Sequence, residues 1–468
     1  MGSSYPVRNP WTGEFDYEFT EPSQSELDAE SERLRASQPR WFEKGLDFRV
    51  DQLNRFKKSL EKHREPIVSR LEEDTGRVEI AAVEFAMLID LIDRICAGAP
   101  GVLSESNAGK TGVDAVSAVQ QRVPYGLMLN IAPWNFPLIL SFLDVVPALV
   151  SGNAALIKPS EVTPRWVDPV REAIAEVEEL WAITGILVGT GQTGARLIEK
   201  ADVVSFTGSV RTGRIVAEAA AREFIPSFSE LGGKDPAIVL KSADIDTAAA
   251  TILYSSISST GQACQSLERV YVDEEILPEF LERVVANAAK TSINFPDKAN
   301  GIIGPFIFEK QPDTVKAHLD DARAKGATVH CGGEFIDHGG IWLEATVLTG
   351  VDHSMLVMTD ETFGPVVPIM GFSDVDEAIR LANDTQYGLS ASVFAGSVDE
   401  GAAVARRVNA GAVSVNDASL TARIHSTSHE SFGFSGLGRS RFGPEGIARY
   451  TREKAIFQNE SGVPALVR

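Results

Sequence analysis

Cysteine is scarce in this chain of 468 residues: there are three, Cys96, Cys264 and Cys331, far apart and without CxxC spacing. That excludes a disulfide framework and a zinc site built on paired cysteines, so a reducing compartment fits and no metal is expected. Dense runs of lysine and arginine are also missing. With 65 acidic against 44 basic residues the formal charge is −21, which opposes binding to nucleic acid or an anionic membrane, so any anionic ligand must be held locally. The opening MGSSYPVRNPWTGEF has no basic region followed by an apolar run; no signal peptide is visible, and a cytoplasmic location is expected. One mostly apolar stretch, residues 127–150, has the length of a membrane span, but Pro133, Asn135, Pro137, Asp144 and Pro147 interrupt it. Lipid would leave such groups unsatisfied, so the stretch reads as strand, loop and buried helix. Repeats of fixed period and low-complexity linkers are absent too.

What is present is a globular composition, 44% hydrophobic, in a chain longer than one core usually organises, which predicts two large domains. Residues 25–98 carry apolar positions every three or four residues, the pattern of amphipathic packing helices. TGVDAVSAVQQRVPYG, after Gly109, alternates as an extended ribbon does. From residue 127 short apolar strands (LMLNIA, NAALIK, ITGILVG, DVVSFTG) alternate with helical segments, and a second cycle begins at PAIVLK and continues through RVYV, VVPIMGF, SASVFAG and GAVSVN. Such alternation predicts an α/β fold with two mainly parallel sheets, and the cleft between them is the natural site.

Several short motifs fall at strand ends. GTGQTG, residues 189–194, is a literal GxGxxG between strand and helix, yet no acidic residue ends a following strand at the expected distance, and glycines also make ordinary tight turns. In FTGSVRTG, Gly208 and Ser209 open a helix and would offer free N–H groups to a phosphate, or Ser209 simply caps that helix. KPSE puts Lys158 and Glu161 beyond a strand, where a carboxylate can accept from a ribose diol or pair on the surface. ELGGK places Glu230 before two glycines, as a general base or a solvated acid. PWNFP holds Asn135 between two prolines, a rigid amide donor or a shaped loop. Cys264, in GQACQS, is either a small buried hydrophobe or a nucleophile. His425 and His429 lie in a polar loop without a third ligand at metal spacing.

Taken together, PWNFP, KPSE, FTGS, ELGGK, GQAC and ETFGPVVP occur in the order found in the NAD(P)-dependent aldehyde dehydrogenase superfamily, which this sequence resembles from about residue 5 to 458. Intervals fit as well: 23 residues from Asn135 to Lys158, 34 from Glu230 to Cys264 and 97 from Cys264 to Glu361. The resemblance implies a Rossmann-type cofactor domain (1–105 and 124–231), a catalytic α/β domain (232–431), a return segment (432–449) and a small β oligomerisation arm (106–123 and 450–468), with a homodimer or homotetramer as the assembly. It implies that Cys264 attacks an aldehyde, that Asn135 and the Cys264 N–H meet the oxyanion, and that hydride passes to the nicotinamide. Glu230 then activates the water that opens the thioester. Lys158 and Glu161 would hold the adenosine ribose, Gly208 and Ser209 the pyrophosphate region, Glu361 and Phe363 the nicotinamide ribose and ring, and Trp134 would lie along the cofactor. GTGQTG becomes a structural turn. A carboxylate at Glu161 opposes a 2′-phosphate, so NAD is the expected cofactor, with NADP as the alternative.

The sequence departs from the family pattern in SFGFSGLGR, residues 431–439, which is shortened and lacks a lysine, and in Leu140, Phe142 and Leu143, which stand where many members place a tryptophan. A reshaped entrance and a lipophilic or aromatic aldehyde are expected from this. Gln265 and Ser266 beside the cysteine are also unusual. The competing readings are a CoA-acylating enzyme, which the base Glu230 opposes, an inactive relative kept for binding, and a plain thiol hydrolase or esterase, which the cofactor residues oppose.

Overall fold

The computed structural model describes residues 3–462; Met1, Gly2 and residues 463–468, the end of the expected arm, lie outside the described residues. Two sheets organise the chain. The first has six strands in the order Gly436–Leu437, Ser227–Glu230, Val203–Thr207, Leu127–Ile131, Ala154–Lys158 and Thr184–Ile186, parallel except for the first. The second has seven, in the order Thr328–Cys331, Thr346–Thr349, Val366–Phe372, Leu267–Asp273, Asp235–Val239, Ser390–Phe394 and Ala412–Val415, again parallel except at the first pair. The α/β fold with parallel sheets agrees with the sequence reading. Both apolar cycles read from the sequence become sheet strands, and Leu127–Ile131, Ala154–Lys158, Val203–Thr207, Asp235–Val239 and Ser390–Phe394 are buried at every residue. Continuous apolar runs of this kind arise because helices cover both faces of a parallel sheet.

Side chains alternate across each strand. In the second sheet Ile238 therefore joins the core on one face, with Tyr271, Leu348 and Val393, while Ala237 and Val239 join the other, with Ile252, Val270 and Phe394. The first sheet and the N-terminal helices share one core that includes Trp41, Phe56, Phe142 and Trp166. Its helices start where the sequence supplies caps. Ser23 forms a capping box with Glu26 at the head of Gln24–Glu43, satisfying two orphan N–H groups at once. The 26-residue helix Val78–Leu103 runs beneath the Pro137–Phe142 helix.

A separate three-stranded antiparallel sheet joins Ser106–Lys110, Val116–Pro124 and Thr451–Asn459, the last two in unbroken register from Thr451 opposite Pro124 to Asn459 opposite Val116. Between the second sheet and this arm the chain returns to the first sheet, with Gly436 opposite Glu230. The consequence for function is one of facing edges. Strands of the first sheet end at Ile131, Lys158, Thr207 and Glu230, whereas those of the second begin at Asp235, Leu267 and Val366, close to the chain segments that carry Cys264 and Phe363.

Candidate active site

Asn135 lies in the loop between strand Leu127–Ile131 and helix Pro137–Phe142, where Pro137 at the helix start fits because its missing N–H has no intrahelical partner there. Its amide Nδ2 donates to the Gln262 carbonyl at 3.0 Å, two residues before Cys264. An Asn amide carries two N–H donors, so one fixes the orientation and the second remains for a ligand. Ahead of the cysteine the backbone turns through left-handed conformations at Ser259, Thr260 and Gly261, with φ of 55°, 62° and 65°. Such conformations cost a serine or threonine of the order of 1–3 kcal/mol and persist only where the surroundings impose them. Here Thr260 Oγ1 donates to the Gly304 carbonyl at 3.0 Å, and a Cβ on Gly261 would stand 2.2 Å from the Gly364 carbonyl oxygen.

Cys264 is partly exposed, unlike the buried Cys96. Its thiol is pushed up to about 12, chiefly by burial, then by the negative charges of Asp235 and Glu361, with Arg441 acting in the opposite sense and Glu230 adding to the rise. Burial and the neighbouring negative charges thus favour the thiol over the thiolate. Neighbouring Gln265 accepts from Thr421 at 3.1 Å, and Ser266 donates to the carbonyls of Ser255 and Ser256, so these two unusual residues tie the cysteine segment to the helices Leu420–Arg423 and Ile245–Ile257.

Glu230 ends its strand and accepts from Ser431 Oγ at 3.1 Å, with Arg449 3.7 Å from its other oxygen. Arg449 and Arg441 both bind the buried Asp144, and Tyr450 donates to the same carboxylate at 2.7 Å. The two guanidiniums and Tyr450 hold Asp144 well below the usual carboxylate range although its burial works the other way. Beyond Glu230 the glycines of ELGGK admit Glu361. A Cβ on Gly232 would meet its carboxylate at 2.4 Å, and Gly233 N–H donates to it at 3.1 Å. A Cβ on Gly233 would also meet the Cys264 carbonyl at 3.0 Å. Burial, followed by the charge of Glu268, pushes the Glu361 carboxyl up.

Phe363 adopts a left-handed φ of 53° and meets Trp134 edge-on, ring centres 5.5 Å apart. That contact joins the PWNFP loop to the ETFGP turn. The turn is held from below by Glu268, which accepts the N–H groups of Thr362 at 2.7 Å and Phe363 at 2.8 Å and pairs with Lys234 at 2.7 Å. Lys158, buried, lies 2.8 Å from the half-exposed Glu161. Ser209 caps helix Val210–Arg222, accepting from Thr212 N–H at 3.3 Å. Lys158, the Asn135 loop and Gly208–Ser209 thus follow the ends of three adjacent strands. Two carboxylates suited to diols, an ammonium, a helix N-terminus and an aromatic wall are a donor set that can hold a dinucleotide.

Two expectations need correction. The N–H of Gly208 is not free for a phosphate, because it donates to the Glu230 carbonyl at 3.1 Å; what requires a glycine there is the Phe206 ring, 2.6 Å from where a Cβ would stand. Phe142 does not border an entrance either. It packs in the core against Phe56 and Trp166, while Leu140 and Leu143 are almost as deeply buried. GTGQTG is a structural turn: its Thr190 N–H and the hydroxyls of Thr190 and Thr193 all donate to Glu21. Sequence reasoning missed Arg77, Glu84, Glu268, Arg441 and Arg449. Charged residues inside otherwise apolar runs, such as Glu268 in LERVYV and Glu84 in AAVEFAML, were the available signal.

The aldehyde dehydrogenase family model matches residues 1–456. A protein provisionally named succinate-semialdehyde dehydrogenase (NADP+) from Mycolicibacterium smegmatis is 35% identical over 458 residues, 97% of this chain and 88% of its own length. The 4,4′-diapolycopene aldehyde oxidase of a Methylomonas species is 34% identical over 91% of this chain and 80% of its own. Among solved structures, a provisionally named aldehyde dehydrogenase, PutA, from Anabaena variabilis superposes with a TM-score of 0.97 at 46% identity, covering 99% of both chains. Betaine aldehyde dehydrogenase from Staphylococcus aureus, in complex with NAD+, superposes at 0.92 with 27% identity over 99% of this chain and 95% of its own. Whole-chain sequence match and whole-chain superposition agree: this chain belongs to the aldehyde dehydrogenase family.

Proposed function

We propose that this chain oxidises an aldehyde to its carboxylic acid through a thiohemiacetal and then a thioester on Cys264, with NAD as the preferred acceptor. The observation that carries the reading is the hydrogen bond from the Asn135 amide to Gln262, which sets a fixed N–H donor beside the cysteine turn. The Cys264 thiol gives up its proton to solvent water, Sγ adds to the aldehyde carbon, and the second Asn135 N–H with the Cys264 backbone N–H receives the oxyanion. Lys158, Glu161, the Ser209 helix start, Trp134, Glu361 and Phe363 would hold a nicotinamide dinucleotide, which would supply the hydride acceptor and a cationic ring. Glu230, oriented by Ser431 and Arg449, takes a proton from the water that opens the thioester, releasing the acid and the Cys264 thiolate. Replacing Cys264 by Ala tests this: aldehyde-dependent NADH formation disappears while NAD+ binding stays. Residual turnover at the wild-type rate refutes it.

The NAD preference rests on Glu161, whose half-exposed carboxylate beside Lys158 repels a 2′-phosphate. Two kinds of relative differ here: the mycobacterial ones carry NADP(+) in their names, and the Staphylococcus aureus structure contains NAD+. Initial rates with the two cofactors decide the matter, and a clear NADP preference overturns the reading.

A lipophilic or aromatic substrate is supported by the loop that carries Ser431. Phe432, Phe434 and Leu437 follow that serine within six residues and are exposed, while Ser431 itself donates to Glu230. The Methylomonas relative is named for 4,4′-diapolycopene aldehyde and the Mycolicibacterium relative for succinate semialdehyde, which carries an anionic carboxylate besides its aldehyde. Rates across aldehydes of graded chain length and ring content separate the two. A homo-oligomer is supported by Thr451–Asn459, which stands at the edge of its sheet with Phe457 70% exposed. An uncovered strand edge of this kind is a pairing surface. A monomer in light scattering at micromolar concentration contradicts it.

A further inference from the structure

Arg77 precedes the long helix Val78–Leu103 and is almost wholly buried. Its guanidinium enters the seam between the two halves of the site. Nη2 donates to the backbone carbonyl of Asn135, and Nη1 donates to the carbonyl of Ser259 at 3.4 Å. Over the intervening Phe136 ring the guanidinium carbon stands 5.3 Å from the centre. The stem passes Gly304, where a Cβ would come within 2.9 Å of Arg77 Cγ. One side chain thus holds the loop that carries the oxyanion amide and the first left-handed residue of the turn that leads to Cys264.

The same helix grips the Asn135 loop a second time. Glu84 Oε2 accepts the N–H groups of Leu138 at 3.0 Å and Ile139 at 3.2 Å, both freed by the start of the Pro137–Phe142 helix. Asn135 is therefore held at its carbonyl by Arg77, at its amide by Gln262, and from three residues downstream by Glu84. Arg77 also reaches the Ser259 end of the turn, whose carbonyl accepts the Gln262 N–H at 3.0 Å and the Gln262 side-chain amide at 3.5 Å as well; what Arg77 adds is a direct tie from there to the Asn135 carbonyl. A planar guanidinium with several fixed donors can span two carbonyls, whereas a lysine ammonium offers a single point charge.

We propose that Arg77 is a positioning residue for the first chemical step: it sets the Asn135 amide against Cys264, so that its loss slows adduct formation and leaves cofactor binding and thioester hydrolysis unchanged. The proposal rests on the reaction given above. It touches neither substrate nor cofactor and acts through two backbone carbonyls.

The experiment measures the single-turnover NADH burst, the NAD+ dissociation constant and the rate of thioester hydrolysis for wild type, R77A, R77K, N135A and the R77A/N135A pair. Displacement of a reacting group by about 1 Å costs about 100-fold, so a burst slowed roughly 10- to 100-fold is expected for R77A, with less loss for R77K. In the N135A background the amide to be positioned is gone, so removing Arg77 as well is expected to slow the burst no more than about 3-fold further. Additive losses in the pair, a wild-type burst in R77A, or an equal loss in NAD+ affinity overturns the positioning role. Should R77A not fold, R77K supplies the same comparison with N135A, because the lysine can reach only one of the two carbonyls. An absent burst in the wild-type enzyme with every aldehyde refutes the underlying reaction, a result distinct from any failure of Arg77.

Discussion

Glu268→Gln is a local substitution with a calculable consequence. The Glu268 carboxylate is buried, pairs with the buried Lys234 at 2.7 Å, and accepts two backbone N–H groups from the turn that holds Phe363 in its left-handed conformation. A glutamine whose oxygen takes the place of Oε2 keeps an acceptor for Lys234 and the Thr362 N–H, but it turns its NH2 against the Phe363 N–H and leaves the buried Lys234 ammonium without the carboxylate charge. Breaking one side of a buried pair costs about 3–5 kcal/mol, and nothing then offsets the strain at Phe363, of the order of 1–3 kcal/mol. A stability loss of about 3–5 kcal/mol in denaturant unfolding is expected, together with at least a tenfold weaker NAD+ affinity, about 1.4 kcal/mol, because Glu361 and Phe363 sit on the loosened turn. The apolar pair Lys234→Met with Glu268→Leu separates the two effects. Replacing both charges restores much of the stability, but the Thr362 and Phe363 N–H groups then both lack an acceptor, so NAD+ affinity stays low. If Glu268→Gln lies within about 1 kcal/mol of wild type and binds NAD+ normally, the clamp does not support the turn.

Alkylation of Cys264 reports its protonation. With the thiol moved from 9.0 to about 12 by burial and by Asp235 and Glu361, the thiolate fraction at pH 8 is lower by about 1,000-fold, so iodoacetamide should react far more slowly than with a free cysteine and faster as pH rises toward 12. A plateau near pH 8 in the free enzyme contradicts this. Glu84 gives a stability prediction. Its carboxyl is pushed up to about 8 by burial, against the opposing charge of Arg77 and the N–H groups of Ile139 and Leu138, with Asp74 adding to the rise. A folded value above the unfolded 4.5 means that the folded state binds the extra proton, so this contribution is complete below pH 4.5 and is lost as pH rises through 8. Glu84→Gln should flatten the fall in denaturant midpoint between pH 5 and 8; an unchanged slope rules Glu84 out as its source.

Much of this was legible in the sequence because it is local. Parallel strands buried on both faces are continuous apolar runs, and Asn135, Glu230, Cys264 and Glu361 each sit in a short motif; in the last three, glycines are required by close approach. Gly232 and Gly233 illustrate this, since any Cβ there would displace Glu361 or the Cys264 carbonyl. What escaped is the set of supports joined over long separations. Arg77 and Ser259 are 182 residues apart, and Arg449 and Asp144 are 305 apart. No local pattern links such partners. The left-handed Ser259, Thr260 and Phe363 were equally invisible, because residues of those types argue against positive φ and tertiary contacts impose it. Phe142 misled because the expectation rested on its place in the family pattern, and in this helix of six residues that position faces the core, against Phe56 and Trp166.

The central claim, an acyl group carried on Cys264 and released with the help of Glu230, is tested most directly by trapping it. Glu230→Gln enzyme mixed with an aldehyde substrate and NAD+ should give one rapid equivalent of NADH and then slow turnover, and intact-mass and peptide spectra should find the acyl group on Cys264. Unimpaired steady-state turnover, or a burst that leaves Cys264 unmodified, contradicts the account.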